Sequence, residues 1–207
     1  MTPILWSFRR CPYAMRARLA IASAGVAIEH REILLRDKPH AFLTASPEGT
    51  VPVVQTAEQS YVHSYDIMLW ALGQNDPENL LDQPAIGTEL TIAADGPFKI
   101  ALDRYKYHVR IDGAEPKVER EKALAFLQIL ATQMGKNAWL FGATPRLADL
   151  AILPFVRQFA HVDIDWFNAT APREISLWLD RFKASDRFAA IMKKHPIWSP
   201  EAPCQRQ

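Results

Sequence analysis

The feature that most restricts the fold is a change of apolar pattern close to residue 75. Before it, short strand-like runs alternate with helical ones; after it, strand patterns nearly vanish. Ile4-Leu5-Trp6 reads as a buried strand. Pro12 opens a segment rich in Ala, Met and Leu that stops at Gly25, as a helix does when proline takes its first position and glycine follows its last. Ile28 to Leu34, Val51 to Gln55 and Tyr61-Val62 supply further strand candidates, and Ser64 to Leu72 a helix stopped by Gly73. This alternation predicts a small α/β domain over residues 1–75.

The stretch beginning Gln74-Asn-Asp-Pro-Glu-Asn and running to Pro84 has a linker's composition, so residues 76–84 are assigned as a linker. Residues 85–207 then read as an all-helical domain. Val118, Leu124, Leu127, Ala131 and Met134 mark the apolar face of a long helix. Ile175, Trp178, Leu179 and Phe182 do the same for a later one, at offsets of three and four. Ser185 is placed to cap a last helix, which His195-Pro196 closes.

Bulk properties narrow the function classes. A net charge of +1 speaks against a dedicated nucleic-acid binder. The longest nearly apolar stretch, Leu150 to Val156, is too short to span a bilayer and contains Pro154, so no membrane partner is expected. The N-terminal residues lack the basic-then-apolar pattern of a secretory signal. The 2 cysteines, Cys11 and Cys204, stand at opposite ends of the chain, which is no disulfide framework and suits a reducing, cytoplasmic setting.

Chemistry concentrates in three places. Cys11, in Ser7-Phe-Arg-Arg-Cys11-Pro12, falls at the start of the first helix, where free N–H groups and the helix dipole favour negative charge. Thiols there reach pKa values of roughly 3.5–7.5 against about 8.5 for a free cysteine. A lone cysteine is more commonly buried and inert; the proline, the strand-to-helix junction and Arg9, Arg10, Arg16 and Arg18 favour the reactive reading. A dithiol motif would need its second sulfur at Ala14, so Cys11 is limited to single-thiol chemistry through mixed disulfides. Cys204 is a less favoured resolving thiol. Val51-Pro52, at the start of a strand, is either an ordinary trans bond or a cis bond that offers the Val51 backbone to an extended peptide. Ser64, after His63, either caps the next helix or helps its N-terminus hold a carboxylate.

Over nearly the whole chain these segments resemble the glutathione transferase superfamily, in particular a cysteine-type, bacterial-style member. Cys11-Pro12-Tyr13-Ala14 is similar to the active-site segment of the omega-like classes and of monothiol glutaredoxins. Lys38-Pro39 followed by Ser46-Pro-Glu-Gly-Thr-Val-Pro52 is similar to the omega-like stretch that ends in a cis-proline. Ser64 with Ile67 matches the family's glutathione-binding helix, and Trp139-Leu-Phe-Gly142 with Ala148-Asp149-Leu-Ala-Ile-Leu-Pro154 its buried helical signature.

The resemblance implies an α/β thioredoxin-like N-terminal domain followed by an all-α helical C-terminal domain, the glutathione transferase fold. It implies glutathione as cosubstrate, no metal, and a homodimer acting on a small-molecule or disulfide substrate. Cys11 would attack or hold the glutathione sulfur. Val51, before cis-Pro52, would pair with the cysteinyl part, Ser64 beside His63 would receive the γ-glutamyl carboxylate, and Lys38 the glycyl carboxylate. Arg10 and Tyr105 would face a second substrate, although the aromatic set Phe98, Tyr105, Tyr107 and His108 is also read as core packing; Asp149 would be structural. The implied activity is that of a thiol transferase or reductase. The alternatives are conjugation of glutathione to electrophiles, with Ser7 a possible donor, and a non-catalytic binding or regulatory module. Two positions depart from the family pattern. His63 stands where an acid or amide is usual, and Arg146 where Ser or Thr precedes the aspartate by three, which weakens a capping box but leaves Asp149 able to accept backbone hydrogen bonds.

Overall fold

Ile4–Ser7 form strand β1, an inner strand of a four-stranded sheet in the computed structural model of the chain, which describes residues 1–201. Cys204 therefore lies outside the described residues. β1 pairs in parallel with β2 (Glu29–Glu32), and a parallel pair needs a crossover, supplied by helix α1 (Pro12–Ala24). Gly25 ends α1 in the left-handed conformation, φ +65°, and the Val26 N–H reaches back to Ile21 O at 3.2 Å. On its other side β1 pairs antiparallel with β3 (Val53–Gln55), which pairs antiparallel with β4 (Ser60–Tyr61). The sheet order is β2-β1-β3-β4.

Two details differ from the sequence expectation. A short helix, α2 (His40–Ala45), follows Pro39, and its six residues are too few to produce a helical period in the sequence. β3 begins at Val53 rather than Val51, because Pro52, which follows a cis bond, has no N–H for the ladder. Helix α3 (Ser64–Gln74) packs beside α1. On the other face of the sheet Trp6, Ile33, Phe42, Val51 and Val53 form one buried cluster, against which Phe8 and Cys11 rest.

Residues Asn79–Ala184 make a second unit, helical throughout its regular elements. It comprises α4 (Ala85–Ala93), a wide turn bent at Gly96-Pro97, α5 (Lys99–Lys106), α6 (Pro116–Met134), α7 (Leu147–Ala160), α8 (Ile164–Thr170) and α9 (Arg173–Lys183). α7 is apolar nearly all round and accordingly buried along almost its whole length. All four apolar residues expected on α9 are buried. On α6, Leu124, Leu127 and Met134 are buried with Ala123, Phe126 and Leu130, whereas Val118 is exposed.

Asp149 ties this unit together. Its Oδ1 accepts from Leu140 N at 3.0 Å and from Trp178 Nε1 at 2.9 Å, and its Oδ2 from Arg146 N at 2.8 Å. One carboxylate thus joins the Trp139–Gly142 turn, the start of α7, and α9. Only that half of a capping box is available, because an arginine side chain has no acceptor. Arg146 instead donates to Asn79 O at 2.8 Å. Burial raises the Asp149 pKa to about 6, its hydrogen bonds pulling the other way.

The last segment departs from the division read in the sequence, which put everything from residue 85 onward in the helical domain. Residues 185–201 group with Met1–Glu78. Ser185 Oγ caps α10 (Asp186–Ile191) by accepting from Phe188 N at 3.2 Å, and α10 packs on α1. The helix stops at Ile191, short of His195-Pro196. The chain then runs along β2: Ile197 bridges Glu32, and Trp198 N donates to Glu32 O at 2.8 Å. Trp198 sits edge-on to Trp6 at 4.9 Å, Arg31 lies 4.9 Å from both indoles, and His195 stacks on His30 at 4.1 Å. An outer strand with free backbone groups is what this segment covers. Among the described residues no helix is long and apolar enough to cross a membrane.

Candidate functional site

Cys11 is the N-cap residue of α1, with extended backbone (φ −72°, ψ 124°) and Pro12 as the first helical residue. Its N–H closes on Phe8 O at 3.0 Å and its carbonyl accepts from Met15 N at 2.9 Å. The thiol is partly exposed and points to Val51 O, 3.7 Å from Sγ. Ala14, where a dithiol motif would carry its second sulfur, is fully buried.

Val51 is held by the loop before it. Ser46 Oγ donates to Thr50 O at 3.0 Å and accepts from Thr50 N at 3.1 Å. Gly49 has φ +65°, and a Cβ there would lie 2.9 Å from Lys38 Nζ. The positive φ calls for glycine, while the lysine tip could swing aside from a Cβ. Lys38, Val51 and cis-Pro52 are thereby brought to one loop, with Cys11 against it.

Ser64 is the first residue of α3 and not its cap, a correction to one of the two sequence readings. His63, exposed, holds the N-cap position without a side-chain capping bond. The Ser64 hydroxyl is turned inward, accepting from the buried Arg16 Nη1 at 3.4 Å. Arg16 places positive charge at the N-terminus of α3, a role the sequence reading did not assign to it. The signal was present: α1 is apolar on nearly every side, so an arginine inside it must find a partner.

Arg18 is a second such case. It is buried and donates to Ser7 Oγ at 2.5 Å, Phe8 O at 3.4 Å and Arg9 O at 2.6 Å. Burial lowers its pKa to about 10, against the opposing charges of Glu32 and Cys11. Ser7, considered above as a donor that would activate bound glutathione for conjugation, is fully buried with its hydroxyl engaged by Arg18.

Arg10 is exposed, its guanidinium 5.7 Å from the Phe8 ring. Tyr105 belongs to the core of the helical unit, 6% exposed and 5.7 Å from Phe159. Burial raises its pKa. Among the described residues no three His, Cys, Asp or Glu side chains are grouped to hold a metal ion.

Comparison with known proteins bears on the same segments. The family model described as glutathione S-transferase, N-terminal domain, matches residues 5–80. The probable glutathione S-transferase DHAR2, chloroplastic, of Oryza sativa subsp. japonica is 35% identical over 159 residues, spanning 74% of this chain and 53% of that protein. The chain thus covers about half the length of this relative. Glutathione S-transferase omega-1 of Mus musculus is 24% identical over 199 residues, 94% of this chain and 78% of that one. The crystal structure of glutathione transferase Omega 3C from Trametes versicolor superposes with a TM-score of 0.79 at 15% identity, covering 96% of this chain and 92% of that one.

Proposed function

The chain belongs to the glutathione transferase superfamily, and from that premise we propose that it is a glutathione-dependent thiol transferase or reductase in which Cys11 forms a mixed disulfide with glutathione. The observation that carries this reading is the single thiol at the start of α1, 3.7 Å from the Val51 carbonyl beside a cis-proline, with Ala14 in place of a second cysteine.

In the first step the Cys11 thiolate attacks the glutathione sulfur of a mixed disulfide between glutathione and the substrate. The Cys11–glutathione bond forms, the substrate's S–S bond breaks, and the substrate sulfur leaves and takes up a proton. A second glutathione thiolate then attacks the mixed disulfide, releasing oxidised glutathione and the Cys11 thiolate. Across both steps, one free glutathione is oxidised as the substrate sulfur is reduced to a thiol, and it leaves joined to the glutathione that the substrate carried as oxidised glutathione. The helix N-terminus stabilises the anion on Cys11 in both steps.

The other groups hold glutathione. The Val51 backbone pairs with its cysteinyl unit, and Lys38 receives the glycyl carboxylate. Ser64 and the free N–H groups of α3, with Arg16 behind them, receive the γ-glutamyl carboxylate. His63 takes the place of the usual acid near the γ-glutamyl amine. We include in the proposal a homodimer acting in the cytoplasm on a small-molecule or disulfide substrate.

Intact mass after incubation with oxidised glutathione tests the reading. One glutathione adduct in a Cys204→Ser protein, lost on adding Cys11→Ala, is the expected result. Conjugation activity that survives Cys11→Ala with no adduct in either protein would sink it.

A further inference from the structure

Arg18 has no place in the glutathione cradle described above, yet it is the buried cation most fully engaged with the segment that carries Cys11. Its guanidinium donates to Ser7 Oγ, Phe8 O and Arg9 O, three acceptors in consecutive residues running from the end of β1 toward Cys11. Phe8 O is also the acceptor for the Cys11 N–H, so Arg18 and Cys11 meet at one carbonyl. From β2, Glu32 grips the same segment, its Oε1 accepting from Arg9 N at 2.6 Å. The second Glu32 oxygen lies 3.1 Å from His30 Nε2, and His30 stacks on His195.

We propose that Arg18 is a positioning residue for the thiol chemistry: it fixes the Ser7–Arg9 segment that seats Cys11 at the start of α1, and its buried positive charge favours the thiolate. The proposal rests on the reading that Cys11 is the reacting thiol. Packing alone does not explain an arginine here, since a buried guanidinium costs stability unless its donors are met. Its planar fork reaches several acceptors at once, which an ammonium cannot do in the same geometry. The charges that face it are Glu32 from β2, Arg9 from the turn and Cys11 from the helix start, with His195 beside His30 nearby. Glu32 favours the charged form of Arg18. Carrying opposite charges on the same segment, the two are expected to move the Cys11 thiol in opposite directions, which a purely structural role would not produce.

The pH dependence of Cys11 alkylation by iodoacetamide, in a Cys204→Ser background without glutathione, tests this. Arg18→Met is expected to raise the midpoint, slowing alkylation below it by roughly tenfold for each unit moved. Arg18→Lys, keeping the charge and losing the fork, recovers part of the shift. Glu32→Gln moves the midpoint down. A folded Arg18→Met protein with the wild-type midpoint overturns the proposal, as does a Glu32→Gln midpoint that stays put or rises. If Arg18→Met does not fold by circular dichroism, Glu32→Gln decides alone. The two readings fail separately. A midpoint shift without any glutathione adduct refutes the thiol transferase and leaves the role of Arg18; an adduct without a shift refutes only Arg18.

Discussion

At the scale of single residues, the buried side chains with charge say most about this chain. Asp149 accepts three hydrogen bonds and is still held near a pKa of about 6 by burial, against an ordinary value of 3.8. The folded state therefore binds the proton more tightly than the unfolded one. Its contribution is largest below the unfolded value and is lost as pH rises through about 6. A carboxamide cannot titrate, so the destabilisation caused by Asp149→Asn should shrink from pH 5 to pH 7.5 by about 1 kcal/mol in urea unfolding. An equal penalty at both pH values would contradict the buried-acid account. His63 supports a prediction of a different kind. An acid there would accept from the γ-glutamyl ammonium with full charge, so His63→Glu should tighten glutathione binding several-fold by calorimetry. Unchanged or weaker binding would mean that the amine is not recognised at that position. The helix-start positions of Cys11 and Ser64 were legible from the sequence because each sits in a short local pattern, whereas Lys38 was singled out only by resemblance. Arg16 and Arg18 were visible only as a basic cluster, because their partners, Ser64 for one and Ser7 to Arg9 for the other, are fixed by how α1 packs.

Among elements, the segment after α9 is the most informative. Its helix cap at Ser185 could be read directly, but its destination could not. Trp198 and Ile197 run along the outer strand β2, and an isolated tryptophan followed by Ser-Pro carries no periodicity to announce this. Trp198→Ala removes one indole from the Trp6–Arg31–Trp198 stack and should cost about 2 kcal/mol in chemical denaturation. A loss within a few tenths of wild type would show that the strap contributes nothing to stability. His195 lies in the same segment, its pKa lowered first by burial and then by His30, with Lys193 and Arg18 adding to the effect and Glu32 opposing it. Because the folded state resists this proton, stability falls as pH drops through the ordinary histidine value of 6.5. His195→Phe should flatten that part of the stability profile between pH 7 and pH 5. If its profile stays parallel to wild type, another group is responsible.

For the whole molecule, each unit has its own logic: a four-stranded sheet flanked by helices in one, and helices gathered around the buried α7 in the other. A ligand bound by one unit stabilises the folded chain by mass action, about 2.7 kcal/mol at a hundredfold excess over Kd. Reduced glutathione should therefore raise the melting temperature of wild type and Cys11→Ala alike, since the proposed cradle of Val51, Lys38 and Ser64 would bind without a covalent bond. Loss of the shift in Cys11→Ala would mean that the thiol itself carries the binding. The sequence alone determined the change from an α/β to a helical pattern near residue 75, the helix start that singles out Cys11, and the lack of a second thiol at position 14. These follow from local chemistry, where proline, glycine and apolar spacing act over a few residues. Tertiary structure decided the rest. It set the cis geometry at Pro52, the inward turn of the Ser64 hydroxyl toward Arg16, and the return of residues 185–201 to the first unit. Each of these depends on groups far apart in the chain whose burial must be satisfied together, and no short-range pattern encodes that.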